Sequence, residues 1–176
     1  KNDLCITFDD GLKSQFSVAY PVLESLNLKA FFFIYSSIFT EKHSMLEFYR
    51  YFRHYYFDSI DIFYEEFYIE ANNHFNCKIA LQKFMFNSKH KIKIWKKKHP
   101  MYSVTDIKFR LARDFFLGEK NYHELMNLML KNKNFQINKV KKNLFMSKND
   151  VNQLSRKGNL IGLHSHSHPT NISSYD

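Results

Sequence analysis

Three short apolar runs stand out along the chain: Leu4-Cys5-Ile6-Thr7-Phe8, Ala30-Phe31-Phe32-Phe33-Ile34 and Leu160-Ile161-Gly162-Leu163. Runs of this length, rich in strand formers and closed by polar residues, predict buried strands. Between the first two, Phe16, Tyr20, Leu23 and Leu26 recur at near-helical spacing, with Pro21 as an irregularity, and predict an amphipathic helix. Strand, helix and strand in succession form a βαβ unit, whose right-handed crossover makes the two strands parallel. Ahead of the third run, Ser147 followed by Asp150 resembles a capping box and predicts a helix over 147–157 closed by Gly158.

Between these regions the period changes to that of helices. Segments 45–57, 60–71, 78–86 and 106–116 each show an aromatic or aliphatic face, and Tyr122, Leu125, Met126 and Met129 mark one more helix. The stripe Phe48, Tyr49, Phe52, Tyr55 and Tyr56 is of the kind that stacks on sugars or bases, but helix core is the commoner use of such a stripe. The basic stretch 89–99, with Trp95 inside it, reads as a solvated loop, and contact with an anionic surface is its second reading. Arg110, Arg113 and Asp114 read as helix-surface ion pairing.

Composition narrows this picture. Hydrophobic residues make up 44% of the 176-residue chain and aromatics 18%, ample for a packed core and against disorder. Four glycines and three prolines favour helices over tightly turned β structure. Two distant cysteines, Cys5 and Cys77, are no disulfide framework and suit a reducing compartment or simple burial; a cytoplasmic or membrane-peripheral location is the expectation. No apolar run reaches the length of a transmembrane helix. The net charge of +9 admits nucleic acid, anionic lipid or an acidic glycan as partner, although a lysine-rich surface alone accounts for it and no nucleic acid is expected.

The chemistry lies at the tips of the predicted strands. The first ends in Asp9-Asp10-Gly11 and the last in His164-Ser165-His166-Ser167-His168. Adjacent carboxylates repel and lose solvation at a strand end unless a cation offsets them. Carboxylate with neutral imidazole is a ligand set for Zn²⁺ or a similar divalent ion. Serines between the histidines and the strand ahead of them distinguish the run from a purification tag. An extended or a helical backbone would equally bring His164 and His168 to one side.

Thr7-Phe8-Asp9-Asp10-Gly11 resembles the first motif of the polysaccharide deacetylases, carbohydrate esterase family 4, and His164-Ser165-His166-Ser167-His168 resembles their second. The resemblance covers residues 1 to about 40 and about 145 to 176. It implies an α/β fold, a partial distorted (β/α) barrel with a mainly helical insertion over 41–144 and an end cut short at the C-terminus. It further implies Asp9 as catalytic base and Asp10, His164 and His168 as ligands of a divalent metal, most readily Zn²⁺, with His166 second-shell or substrate-facing. The implied activity is metal-dependent hydrolysis of acetyl groups from an N- or O-acetylated sugar of a surface polysaccharide or its precursor, the substrate being an acetylated carbohydrate. The family's arginine-bearing motif and its late histidine, the general acid, have no counterpart in the sequence. A truncated or inactive module that binds metal or glycan is therefore the alternative expectation, and a basic, aromatic-rich protein binding nucleic acid or anionic lipid is the third.

Overall fold

The structure, a computed structural model, describes residues 4–40 and 44–167. The chain forms two compact units, one from 1–48 with 136–176 and the other from Tyr49–Phe135.

In the first unit, β1 (Thr7–Asp9), β2 (Phe31–Ile34) and β3 (Leu160–Leu163) form a parallel sheet in the order β1-β2-β3. Phe8 aligns with Phe32, Asp9 with Phe33 and Ile34 with Leu163. One face of the sheet buries Ala30 and Phe32 with Tyr20 and Leu23 of α1 (Tyr20–Ser25) and with Met146 and Leu154; Ile6, Phe8, Phe16 and Val151 complete the cluster. Phe8 and Phe32 stack there at 5.0 Å between ring centres.

The expected partial (β/α) barrel is not formed. The described residues are mostly helical, with three short parallel strands and no closed barrel. Strands of three or four residues are too short and too few to tilt and close. The strand–helix alternation runs once, through β1, α1 and β2, and the chain rejoins the sheet only at Leu160. Position in the sheet also overrides the expectation that all three strands are buried. Central β2 is covered, whereas Leu163 on edge strand β3 is 84% exposed, and Cys5 ahead of edge strand β1 is exposed as well.

Where α1 ends, Asn27 adopts a left-handed φ of 53° while Leu28 N–H reaches back to Leu23 C=O at 2.9 Å, the closure usually given to glycine. Asn76 and Asn134 end two further helices with φ of 48° and 53°. With four glycines in the chain, asparagine does this work, because its short amide side chain tolerates the left-handed region.

The predicted capping box is present at the start of α9 (Lys148–Arg156). Ser147 Oγ accepts from Asp150 N–H at 3.2 Å and Asp150 Oδ2 accepts from Ser147 N–H at 2.8 Å. Lys13 Nζ reaches the same carboxylate at 2.6 Å and ties the start of the helical segment after β1 to α9. Burial alone would raise the Asp150 carboxyl, but the Lys13 ammonium and the Ser147 hydrogen bonds hold it below its ordinary value. A lowered folded-state value means that this stabilisation is complete above the unfolded pKa, about 3.9, and is lost as pH falls through the folded one. Asp150→Asn should therefore lose about 1–3 kcal/mol at neutral pH. Urea unfolding at pH 7 and pH 3 checks this: the gap from wild type should narrow at the lower pH.

The second unit holds most of α2 (Leu46–Tyr55), then α3 (Ile60–Phe75), α4 (Lys78–Asn87), α5 (Lys89–Lys98), α6 (Val104–Leu111), a π-helical segment Ala112–Leu117 and α7 (Gly118–Asn132). Phe52, Phe63, Phe67, Phe109, Leu125 and Met126 are fully buried at its centre. The stripe read as core divides accordingly: Tyr49 and Phe52 are buried, whereas Tyr55 is exposed. The stretch read as a loop is instead helix α5, because Lys91, Ile92 and Trp95 recur at helical spacing and are its least exposed positions. Arg110 pairs with Asp106 and Arg113 with Asp114. Helix α8 (Ile137–Leu144), in the first unit, is absent from the expectations above although Ile137, Val140 and Leu144 recur along it at helical spacing.

Candidate functional site

The carboxyl ends of β1 and β3 lie on either side of β2, so the residues that follow each strand emerge at the same end of the sheet. Asp10 leaves β1 with a left-handed φ of 76° and Gly11 follows at 67°. Strand alternation ends there and the chain turns sharply. A Cβ at position 11 would stand 3.1 Å from Ile34 Cγ2 and 3.1 Å from Ile38 Cδ1, so a side chain there would strain the backbone and crowd both isoleucines. Gly11 C=O accepts from Met146 N–H at 2.9 Å and Leu12 bridges to Phe145, which anchors the turn to the segment leading into α9.

At the tip of β3, His164 N–H donates to Ile34 C=O at 3.0 Å, and Ser165 takes a left-handed φ of 64°. Ser165 and His166 carbonyls accept from Ser36 N–H at 3.3 Å and Ser37 N–H at 3.0 Å. The His166 ring is held through Nδ1 by Ser36 Oγ at 2.8 Å. Left-handed conformations at Asp10 and Ser165 persist because these contacts over-determine both turns, a form of local strain found where side chains are being positioned.

These turns bring Asp10 Oδ1 to 3.6 Å from His164 Nε2. The side chains are 16% and 37% exposed, so the pair sits at the rim and the carboxylate is largely withdrawn from water. The separation is too long for a hydrogen bond. Two ligands bound tetrahedrally to Zn²⁺ at 2.0–2.1 Å stand about 3.3 Å apart, which the pair approaches within a few tenths of an ångström. Oxygen and imidazole nitrogen also suit that ion, and on both grounds Asp10 and His164 fit a metal.

No family model, curated protein or solved structure matches the chain. His168, the third expected ligand, lies outside the described residues, and among the described residues no group of three or more His, Cys, Asp or Glu is placed to hold an ion. Asp9 is exposed at the last position of β1, and its carbonyl accepts from the Gln15 side-chain amide. As the register partner of Phe33, Asp9 shares its sheet face with Phe31 and Phe33, whose half-buried rings stack at 6.1 Å and 9°. On the neighbouring strand Gly162 leaves room for the Phe33 ring, which a Cβ at 162 would overlap.

Sequence reasoning did not find Ser36, Gln15 or the Lys13–Asp150 pair. The first two act through short polar side chains with no motif around them. The last joins residues at opposite ends of the chain, visible only once α9 is seen against the β1 turn.

Proposed function

We propose that the protein is a metal-dependent hydrolase that removes acetyl groups from an N- or O-acetylated sugar of a polysaccharide or its precursor, as its resemblance to the polysaccharide deacetylases implies. The observation that carries this reading is the 3.6 Å approach of Asp10 Oδ1 to His164 Nε2 across the end of a parallel sheet, where α/β enzymes gather ligands. Asp10, His164 and His168 would hold the ion. When bound, a divalent cation supplies Lewis-acid polarisation of the acetyl carbonyl and neutral-pH activation of water. Asp9, exposed beside them in sequence, accepts the proton of the attacking water. The stacked Phe31 and Phe33 on the Asp9 face offer an apolar surface for a sugar ring. His166, steadied by Ser36 Oγ, supports the turn that carries His164.

Elemental analysis of the purified protein tests this reading. About one equivalent of zinc or a similar ion is expected, with affinity in His164→Ala lower by at least about a hundredfold. A folded sample without affinity for such ions would overturn it. Metal binding without acetate release from any acetylated oligosaccharide would instead leave a module that binds metal or glycan and turns nothing over.

A further inference from the structure

One long stretch of this protein is basic without any acidic residue. Residues 71–105 contain eight lysines and no aspartate or glutamate, in a chain whose 26 basic and 17 acidic residues sum to +9. That stretch, α4, α5 and the turns beside them, thus carries +8, against −5 for residues 1–70 and +6 for residues 106–176. Among the described residues none of these lysines forms an ion pair with a carboxylate.

Helix α5 turns Lys91, Ile92 and Trp95 inward and leaves Lys89, Lys93, Ile94, Lys97 and Lys98 exposed. Lysines in its last turn complement the negative end of the helix dipole, and Lys96 Nζ is further used by Pro100 and Tyr102 carbonyls, both at 2.7 Å. That accounts for the C-terminal end only. Lys89 stands at the N-terminus, where the dipole disfavours a cation, and Lys89, Lys93 and Lys97 follow one another at the spacing that sets like charges against each other. An external anion would relieve this repulsion.

Exposed apolar side chains are interleaved with the lysines. Phe86, Ile94 and Phe115 are 66%, 40% and 55% exposed. The Lys89 ammonium lies 4.1 Å from the centre of the Phe86 ring and that of Lys91 3.2 Å from the centre of Phe115, with Trp95 edge-on to Phe115 at 6.3 Å. Nucleic acid would reward the charges but not Ile94, and the stretch holds no arginine to grip phosphate or guanine in bidentate fashion. The headgroup boundary of an anionic bilayer rewards both kinds of residue, because aliphatic and aromatic groups enter it while lysine heads stay at the phosphates. We propose that the exposed face of α4 and α5 docks on anionic lipid membranes. Among the described residues no helix is long and apolar enough to cross a bilayer.

The test is co-sedimentation of the full chain with phosphatidylcholine vesicles, pure or containing about 30% phosphatidylserine. Binding is expected to the anionic vesicles alone and to weaken with salt. Each lysine near such a surface is worth about fivefold, so K89Q/K93Q/K97Q should weaken binding about a hundredfold and the charge-reversed K89E/K93E/K97E by more. All three positions are solvent-exposed, and unchanged far-UV circular dichroism would confirm that both variants fold. F86S/I94S should weaken vesicle binding about tenfold, which separates bilayer entry from attraction to phosphate alone. The proposal is overturned by equal binding to neutral vesicles, by no binding to anionic ones, by insensitivity to the lysine variants, or by duplex DNA binding that outcompetes vesicles and ignores F86S/I94S.

Discussion

Asp9→Asn is expected to lower acetate release by about 10²–10⁴-fold while leaving metal content unchanged. The amide is nearly isosteric with the carboxylate. Its backbone contacts, the ladder to β2 and the Asp9 carbonyl bonded to the Gln15 side chain, do not depend on the side-chain charge. The Asp9 side chain is exposed, so no core contact is lost. Only the ability to take a proton goes. The measurement pairs acetate release from an N-acetylated oligosaccharide with elemental analysis of the same sample. Undiminished turnover would remove Asp9 as the base. Joint loss of metal and turnover would recast Asp9 as a ligand and return the question of the base to other groups. The parallel substitution Asp10→Asn should show the opposite split, with metal lost, because Asp10 is the carboxylate that approaches His164.

Local signals in this chain were legible where they carried their own physical cause. Ser147 and Asp150 announced a helix start because a cap needs only residues three apart, and the parallel pairing of β1 with β2 followed from the helix between them. What failed was inference from part to whole. Two motifs suggested a barrel, but motifs describe strand tips, and whether a sheet closes depends on how many further strands join it. The burial of β3 was misjudged for the same reason: an apolar run does not reveal whether its strand will lie at an edge, where Leu160 and Leu163 end up exposed. Helix α5 was hidden by its lysines, which swamp the spacing of Ile92 and Trp95 on its inner side. At the candidate site, the tip residues could be named in advance, but Ser36 beneath His166 could not, because a lone serine forecasts no partner from a distant segment.

Phe109→Ala should be the most damaging substitution in the second unit, costing about 3–5 kcal/mol. Phe109 is wholly buried and its ring meets those of Phe63, Tyr64 and Phe67 at 5.5, 5.0 and 5.0 Å between centres. Interiors packed at crystal density refill poorly when six ring carbons are deleted, so a cavity remains. A second effect adds to the first. The Arg53 guanidinium lies 5.3 Å from the centre of the Phe109 ring and 5.9 Å from that of Phe63, and its buried Nε has no hydrogen-bond partner among the described residues. Desolvation already pulls the Arg53 side chain below its ordinary pKa. With the Phe109 ring gone, this cation keeps its burial and loses one of the two π-faces that offset it, which places the expected loss toward the top of the range. Urea unfolding checks this against Phe86→Ala, an exposed phenylalanine of the same unit, which should shift stability by no more than about 0.5 kcal/mol. Replacing Arg53 by Met in the Phe109→Ala background should then recover part of the loss, because it removes the charge and fills space. Without such recovery the cavity alone would account for the damage, and the ring would have been packing material rather than a counterweight to the buried cation.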